Sequence, residues 1–272
     1  MRTVLLLLIV LLFAWYVMKK DVMLDPVKYP HTLDDNGFLV VKNVFSPEEI
    51  QYMKTTEFKT VKGALMASQK LNDVIRTKVG KDYVLQDYIW IIKRASVHTC
   101  HRDNNGDMFN KDQKHPSYTM LIYLEDMEKC LGVIDKSHKK KGSMFDDVQN
   151  LTCSKGDAII FNANLIHTGT FNKREDNLRI QMKITHKDDV ETLGYYQDFN
   201  KVLDTPNTVP VFLRKIQNRL SCALPMVSDL TQKTNIDSAR GSDNGANIGF
   251  FQRLFSYTFY GNEKFYDLPN AF

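Results

Sequence analysis

The stretch KGDAIIFNANLIHTGTFNKREDNLRIQMKI, residues 155–184, decides how the middle of the chain folds. It contains two runs of β-branched and apolar residues, Ala158–Phe161 and Leu178–Ile184, with polar and turn-forming residues between them. Such runs are typical of buried strands, and polar segments of this kind connect strands in a sheet. A histidine, His167, follows the first predicted strand and precedes a turn.

Further strands are predicted upstream at Gly37–Val41, Tyr83–Ala95, Tyr118–Leu124 and Gly132–Ile134. After the first of these strands, the residues Ser46-Pro47-Glu48-Glu49 supply an N-cap, a proline at the first helical position and a capping-box glutamate. They predict a helix through about Lys54. Strands that follow an initial helical region indicate an α+β fold with an antiparallel sandwich or barrel at its centre.

Length and composition place the chain among ordinary globular proteins. Its 272 residues carry 36 lysines and arginines against 32 aspartates and glutamates, a formal net charge of +4, and 43% of the residues are hydrophobic. This balance argues against global disorder and against a dedicated nucleic-acid-binding protein, so no nucleic-acid partner is expected. The four cysteines include no C-x-x-C pair, which excludes a zinc ribbon and a thioredoxin-type motif.

The N-terminal residues Thr3–Met18 form an uncharged apolar run, bounded by Arg2 on one side and by Lys19 and Lys20 on the other. As a helix they span about 24 Å, slightly less than the ~30 Å hydrocarbon layer of a bilayer. No small-x-small cleavage site follows, so an uncleaved single-pass signal anchor is favoured over a cleaved signal peptide and a buried core helix. Residues 3–18 are therefore the expected membrane contact.

Two features favour a lumenal domain in the endoplasmic reticulum or another secretory compartment. Asn150-Leu151-Thr152 is a sequon for N-glycosylation, and the number of cysteines is even. The charges that flank the apolar run are nearly balanced, so they do not decide the orientation of the anchor.

The order of these segments predicts four parts of the chain. A polar stretch with two prolines separates the anchor from the first strand and is typical of a tether, and the pattern changes again after about residue 200. The predicted parts are a signal anchor (1–20), a tether (21–36), a main domain (37–200) and a C-terminal helical and aromatic extension (201–272).

The C-terminal extension begins with a predicted basic amphipathic helix at Val211–Leu224. Its apolar row consists of Phe212, Ile216 and Leu220. Residues 226–247 are rich in serine, threonine, aspartate, asparagine and glycine, and they predict a flexible loop. The aromatic tail at 248–261 fits three roles, namely docking on its own domain, binding a partner protein or contacting the membrane.

Two His-x-Asp motifs occur in the chain, whereas roughly 0.8 matches to H-x-[DE] are expected by chance among its histidines. The first motif, His101-Arg102-Asp103, follows a strongly predicted strand and enters a turn rich in glycine and asparagine. His167 follows another strand later in the chain, which completes the two histidines and one carboxylate of a facial triad for iron. The second motif, His186-Lys187-Asp188, has no histidine after it.

Arg179 lies in the strand predicted after His167, where an antiparallel neighbour can place its guanidinium near the metal. The planar guanidinium forms two parallel hydrogen bonds with a carboxylate, so this position suits a carboxylate co-substrate.

The order of these motifs resembles the Fe(II)/2-oxoglutarate-dependent oxygenases, in particular the phytanoyl-CoA dioxygenase and prolyl-hydroxylase-like branches. The similarity runs from about Leu33 to Ile184. It covers LDDNGFLVVKNVFSPEEI (33–50), the HRD triplet (101–103), SYTMLIYLEDMEKCLGVIDKSHK (117–139) and the block at 155–184. Each piece alone is unspecific, but their order and spacing are typical of the family.

The resemblance implies a double-stranded β-helix, a jelly-roll core of the cupin type with flanking helices, here preceded by one N-terminal transmembrane helix. It implies that His101, Asp103 and His167 bind Fe(II). It also implies that Arg179 pairs with the distal carboxylate of 2-oxoglutarate and that Tyr123 donates to the same carboxylate. Such a membrane-anchored dioxygenase would use O2 to hydroxylate an unidentified protein, amino acid or lipid, with decarboxylation of 2-oxoglutarate to succinate and ascorbate as an optional reductant.

Other functions remain open from the sequence. The chain also fits a non-catalytic jelly-roll protein that is attached to a membrane and serves as a structural or interaction module. Halogenation is disfavoured by Asp103, since a halogenase needs that coordination position for halide. Structural zinc at His98-Thr99-Cys100-His101 is disfavoured because alternate strand residues face opposite sides and no second cluster completes a tetrahedron.

Overall fold

The computed structural model describes residues 14–25, 30–94, 96–103, 112–140, 142–172, 177–225 and 250–262, with the single positions 4, 7, 11 and 28. Within these ranges the strands are β1 (Val22–Leu24), β2 (Phe38–Val41), β3 (Tyr83–Leu85), β4 (Tyr88–Ile92), β5 (Tyr118–Tyr123), β6 (Leu131–Val133), β7 (Gln149–Leu151), β8 (Ala158–Asn162), β9 (His167–Gly169), β10 (Arg179–His186) and β11 (Phe199–Leu203). The helices are α1 (Pro47–Thr55), α2 (Phe58–Met66), α3 (Gln69–Lys78), α4 (Val211–Ala223) and α5 (Phe250–Tyr260).

The described strands form two β-sheets that pack face to face. The larger sheet has the order β11-β4-β10-β5-β8-β2, with β3 also paired to β10, and the smaller sheet has the order β1-β7-β6-β9. Buried side chains of both sheets form one cluster, which includes Leu121, Phe161, Leu131 and Leu151. Two sheets with flanking helices confirm the predicted mixed α+β fold, and they are consistent with the expected jelly roll.

Strand β10 shows how the sequence builds the two faces of the larger sheet. Its apolar residues Ile180, Met182 and Ile184 join the main core cluster together with side chains of α1, α2 and α3. Because successive strand residues face opposite sides, Arg179 and Lys183 lie on the other face, between the two sheets. Every residue of β10 before its last is buried, so its polar side chains line the interior.

The first helix begins where the capping box predicts it. The Ser46 hydroxyl accepts a hydrogen bond from the Glu49 N–H at 3.3 Å, and the Glu49 carboxylate accepts one from the Ser46 N–H at 2.6 Å. The strands β2, β5, β6, β8 and β10 also closely match the predicted runs. The predicted run Tyr83–Ala95 is divided into β3 and β4, both paired to β10.

Part of the predicted tether, 21–36, is packed on the domain. Strand β1 pairs in parallel with β7 at the edge of the smaller sheet, and Leu33 is buried in the main core. Asp21 accepts a hydrogen bond from Arg219 at 2.6 Å and also pairs with Lys129. A strand this short carries little sequence signal, so only its tertiary partners reveal it.

The predicted signal anchor at 1–20 falls mostly outside the described residues. Positions 14–18 are helical, and Trp15 and Met18 are exposed. In the part of the chain that the structure describes, no helix is long and apolar enough to cross a membrane. The anchor therefore stays a prediction.

The C-terminal extension packs on the main domain. Strand β11 crosses the boundary predicted at residue 200 and pairs in parallel with β4. In α5, Tyr260 is buried against Ile92 and Leu203, so the aromatic tail docks on its own domain. The loop predicted at 226–247 lies outside the described residues.

The helix predicted at Val211–Leu224 is confirmed as α4, but its apolar row does not pack on the core. Phe212 and Leu220 are exposed, whereas Arg214, Cys222 and Ala223 are buried. Polar side chains of α4 face inward because they bond backbone groups of the segment before His101 and of α5, which need hydrogen-bonding partners rather than apolar contacts.

Two disulfides are present. Cys100–Cys222 joins the segment before His101 to α4, and Cys130–Cys153 joins the ends of the paired strands β6 and β7. The sequon is not available at the surface, because Asn150 is buried in β7 between β1 and β6. A glycan on Asn150 is incompatible with this packing, so the sequon gives no support for a lumenal domain.

Candidate functional site

A short antiparallel bridge brings His101 and His167 together. The His101 N–H donates to the His167 carbonyl and the His167 N–H donates to the His101 carbonyl, both at 2.9 Å. Directly opposed residues of such a pair place their side chains on the same face. The centroids of the two imidazole rings are accordingly 4.3 Å apart.

Asp103 meets both rings with one oxygen. Its Oδ1 lies 3.5 Å from His101 Nε2 and 3.3 Å from His167 Nε2. A metal ion with bonds of about 2.0–2.2 Å needs its ligand atoms at roughly this mutual separation. The structure thus brings together the three residues predicted as metal ligands, and we refer to them as the triad.

The other ring nitrogens of the triad are held by backbone carbonyls. His101 Nδ1 lies 2.8 Å from the carbonyl oxygen of Thr99, and His167 Nδ1 lies 3.0 Å from that of Leu165. Because a carbonyl can only accept, each Nδ1 carries the hydrogen and each Nε2 keeps its lone pair free. Metal-binding histidines are oriented in this way.

Burial and nearby charges shift the pKa values of two triad residues, His167 and Asp103, in the direction that favours metal binding. The pKa of His167 is lowered by burial first and then by the neighbouring His101. Burial acts to raise the pKa of Asp103, but the Lys183 ammonium and His167 outweigh it and hold that pKa well below its usual range. Neutral imidazoles and an ionised carboxylate are the forms that coordinate metal ions.

The second oxygen of Asp103 is held by two residues that the sequence analysis missed. Lys183 Nζ donates to Oδ2 at 2.6 Å, and the Thr119 hydroxyl donates to the same atom at 2.5 Å. Lys183 and Thr119 are register partners on β10 and β5, and both are buried. The alternation of polar residues in RIQMKITH was the available signal, but it is equally typical of a strand with one solvated face.

Arg179 and Tyr123 form another register pair on β10 and β5, on the same inner face as Lys183. Arg179 Nη1 donates to the side-chain oxygen of Asn177 at 2.6 Å, and the Tyr123 hydroxyl donates to the Cys130 carbonyl at 3.1 Å. Burial lowers the pKa of Arg179 and raises the pKa of Tyr123. The pair places a guanidinium and a phenol inside the protein, and their binding of a carboxylate stays a prediction.

The C-terminal extension supports both segments that carry the histidines. The Asn218 amide of α4 donates to the His98 carbonyl at 2.7 Å and lies 3.0 Å from the Thr168 hydroxyl. The disulfide Cys100–Cys222 ties the same helix to the residue before His101. The sequence placed this helix in a separate part of the chain, so its role in holding the triad was not foreseen.

His98 is a buried histidine that connects the segment before the triad to the extension. Its Nε2 lies 3.0 Å from Gln217 Oε1, and its Nδ1 lies 3.4 Å from Asn207 Nδ2. Burial lowers the pKa of His98 to about 4. Structural zinc at this segment is ruled out by the pairing of Cys100 in a disulfide.

No family model matches the chain, and no curated protein matches it. Solved structures do match: EvdMO1 is 15% identical over 57% of this chain and 48% of its own, about half its length, with a TM-score of 0.46. HygX from Streptomyces hygroscopicus, with nickel and 2-oxoglutarate bound, is 17% identical over 57% of this chain and 84% of its own, with a TM-score of 0.41. The iron and alpha-ketoglutarate-dependent endoperoxidase NvfI is 12% identical over 60% of this chain and 82% of its own, with a TM-score of 0.47. These superpositions are partial, with TM-scores below 0.5, so the function proposed below rests on the side chains themselves.

Proposed function

We propose that this protein is an Fe(II)- and 2-oxoglutarate-dependent dioxygenase that hydroxylates an unidentified protein, amino-acid or lipid substrate. One oxygen atom of O2 enters the substrate and the other enters succinate, with release of CO2 from 2-oxoglutarate. One observation carries the proposal: His101 Nε2, His167 Nε2 and Asp103 Oδ1 converge while both Nδ1 atoms are held by carbonyls. Two histidines and one carboxylate leave coordination positions open for co-substrate and O2.

When bound at the triad, iron supplies the redox chemistry that couples decarboxylation of 2-oxoglutarate to oxidation of the substrate. The chain itself sets how Asp103 takes part. Because Lys183 and Thr119 hold Oδ2, only Oδ1 is directed at the two histidines. A carboxylate that binds through one oxygen leaves one more position free than a carboxylate that binds through two.

Arg179 is the proposed partner of the distal carboxylate of 2-oxoglutarate. Arg179 is buried on the inner face of β10, and a guanidinium matches a carboxylate with two parallel hydrogen bonds. Tyr123, on the neighbouring strand, stays protonated because burial raises its pKa. Its hydroxyl would donate to the same carboxylate by turning away from the Cys130 carbonyl, its acceptor in the structure. Since Lys183 lies on the same strand beside Asp103, β10 would connect the metal end of the site to its carboxylate end.

We further propose that residues 3–18 hold the enzyme at a membrane of the secretory pathway, with its domain in the lumen. The disulfides Cys100–Cys222 and Cys130–Cys153 support an oxidising compartment. The chain directly after the apolar run is fixed to the domain, since Arg219 donates to the Lys19 carbonyl at 2.8 Å. Alkaline extraction should leave the protein in the membrane pellet, and sealed microsomes should protect it from protease; release or digestion would contradict this placement.

Succinate release from 2-oxoglutarate tests the proposed activity. We expect the full-length protein in detergent, with Fe(II), ascorbate and air, to release succinate, and His167→Ala to release about a hundredfold less or none. The matched control is His138→Ala, which removes a partly exposed histidine outside the triad. Absence of succinate release together with absence of Fe(II)-dependent 2-oxoglutarate binding would contradict the proposal.

A further inference from the structure

The second His-x-Asp motif gains a third ligand from an earlier part of the chain. His115 precedes β5, and its Nε2 lies 3.5 Å from Asp188 Oδ2. His186 Nδ1 lies 3.6 Å from the same oxygen, and the two imidazole rings are stacked with centroids 3.6 Å apart. We call His115, His186 and Asp188 the rim cluster, because they lie where β10 ends and its burial ceases.

Secondary structure fixes two members of the rim cluster. His186 is the last residue of β10 and pairs in register with Tyr83, whose ring packs edge-on against the imidazole at 5.2 Å between centroids. Asp188 lies in the short 3-10 turn Lys187–Asp189 that follows directly. Its distance from His186 is therefore set by a single turn of the chain.

A buried carboxylate fixes the third member. Both oxygens of Asp189 accept backbone hydrogen bonds, one from the Lys114 N–H at 2.8 Å and one from the His115 N–H at 2.7 Å. Asp189 is 1% exposed, so these bonds are shielded from water. The backbone that carries His115 is thus already ordered against the turn that carries Asp188, and a ligand would not have to order it.

We propose that the rim cluster is a second metal site, for a divalent cation of the borderline class such as Zn²⁺. Imidazole nitrogen and carboxylate oxygen are ligands that these cations prefer. The separations of 3.5 and 3.6 Å from Asp188 Oδ2 are close to the roughly 3.3 Å between neighbouring ligand atoms of a tetrahedral zinc ion. Because the two imidazoles are stacked, the partly exposed His115 ring turns out of the stack on binding, so that both lone pairs point at one ion. Water supplies the remaining coordination, since His115 and Asp188 reach solvent.

Coordination at His186 Nδ1 replaces one weak contact. In the structure this nitrogen accepts a long hydrogen bond from the Asp188 N–H at 3.2 Å. Asp188 is exposed, so water can take over that N–H when the metal binds. The site does not depend on the chemistry proposed for the triad, because none of its ligands belongs to it.

Zinc stoichiometry of the full-length protein in detergent tests the site, with zinc chloride as the probe and equilibrium dialysis followed by metal analysis as the measurement. The expected result is two zinc ions for the wild type, one for His167→Ala and none for His167→Ala/His115→Ala. The matched control, His167→Ala/His138→Ala, should keep its one zinc ion. Retention of that ion by His167→Ala/His115→Ala would overturn the proposal.

A second comparison covers the case in which His167→Ala fails to fold. His115→Ala alone should reduce the zinc bound from two ions to one. Asp188→Asn should raise the dissociation constant of the second zinc ion at least tenfold. A His115→Ala variant that binds as many zinc ions as the wild type would also overturn the proposal, whether or not the triad binds zinc. Succinate release is not used in either comparison, so failure here is distinct from failure of the proposed activity.

Discussion

Two clusters in the described part of the chain share one composition, two histidines and one aspartate built on a His-x-Asp motif, and they differ in burial. The triad lies between the sheets, with each side chain at most 10% exposed. In the rim cluster the side chains of His115 and Asp188 are 39% and 60% exposed. The same spacing therefore yields a closed or an open site according to where the strand places it.

The middle residues of the two motifs show the same contrast. Arg102 is buried, and its Nε donates to the Asn164 carbonyl at 2.9 Å, which fixes the turn between His101 and Asp103. Lys187 is exposed, and its Nζ lies 3.6 Å from Asp82 at the surface. We infer that the triad is the more rigid of the two, because the residue inside its motif is itself buried and hydrogen-bonded. In the rim cluster the strand β10 and Asp189 hold the backbone, but the side chains of His115 and Asp188 reach solvent.

The largest expected effect is the difference between replacing Asp103, in the triad, and replacing Asp188, in the rim cluster. Asp103→Asn should lower succinate release more than a hundredfold, because it removes the anionic ligand and leaves the buried Lys183 without its counter-charge. Asp188→Asn should change the free energy of unfolding by less than about 0.5 kcal/mol, since that side chain is exposed. Succinate assays and urea unfolding measure these outcomes. Turnover by Asp103→Asn near the wild-type level would contradict the role of Asp103 as a metal ligand.

The next largest effect is the difference in stability between replacing the buried Lys183 and replacing the exposed Lys187. Lys183→Met leaves the charge of Asp103 buried and unpaired, so it should lower the free energy of unfolding of the metal-free protein by about 3–5 kcal/mol. Added Zn²⁺ should reduce this loss, because the metal supplies the missing positive charge. The control Lys187→Met, at the surface, should change stability by less than about 0.5 kcal/mol. Equal effects of the two variants, measured by urea unfolding with and without metal, would contradict the role of Lys183.

Acid should lower the free energy of unfolding through His98, the buried histidine in the segment before the triad. Its pKa is about 4 in the folded protein and about 6.5 in an unfolded chain. Between these values the unfolded chain binds the extra proton, so stability is full above pH 6.5 and falls by roughly 3 kcal/mol as the pH drops to 4. Urea unfolding of the metal-free protein across this range should show a shallower pH dependence for His98→Gln than for the wild type. An unchanged dependence would show that His98 does not titrate in this way.

The smallest expected effect concerns the carboxylate end of the site. Arg179→Lys keeps the charge but loses the bidentate geometry, so it should raise the KM for 2-oxoglutarate roughly tenfold, with a smaller change in kcat. The control Arg94→Lys alters an exposed arginine paired with Asp204 and should leave the KM as it is. Steady-state kinetics with varied 2-oxoglutarate measure the difference. Equal KM values for the two variants would contradict the proposal that Arg179 binds 2-oxoglutarate.

Local signals explain what the sequence could predict. The capping box at Ser46–Glu49 and the apolar runs of β5, β8 and β10 act over a few residues, so their positions agree with the structure. The triad was also predictable in outline, because His101-x-Asp103 and His167 each follow a strong strand. Such signals do not depend on which parts of the chain later meet.

Tertiary pairing explains what the sequence could not predict. Lys183 and Thr119 support Asp103 only because β10 and β5 pair in one register. Likewise, α4 turns Asn218 inward because it meets backbone groups of the segment before His101. The rim cluster was missed because its third ligand, His115, comes before the motif, and chain order gives no hint of that contact.

The most direct test of the proposed function is a calorimetric titration of 2-oxoglutarate into the full-length protein without oxygen, in the presence and absence of Fe(II). We predict one equivalent of 2-oxoglutarate bound when Fe(II) is present, and none when Fe(II) is omitted or His167 is replaced by alanine. Binding that is equally strong without metal, or no binding with Fe(II) present, would contradict the assignment of His101, Asp103 and His167 as the iron site.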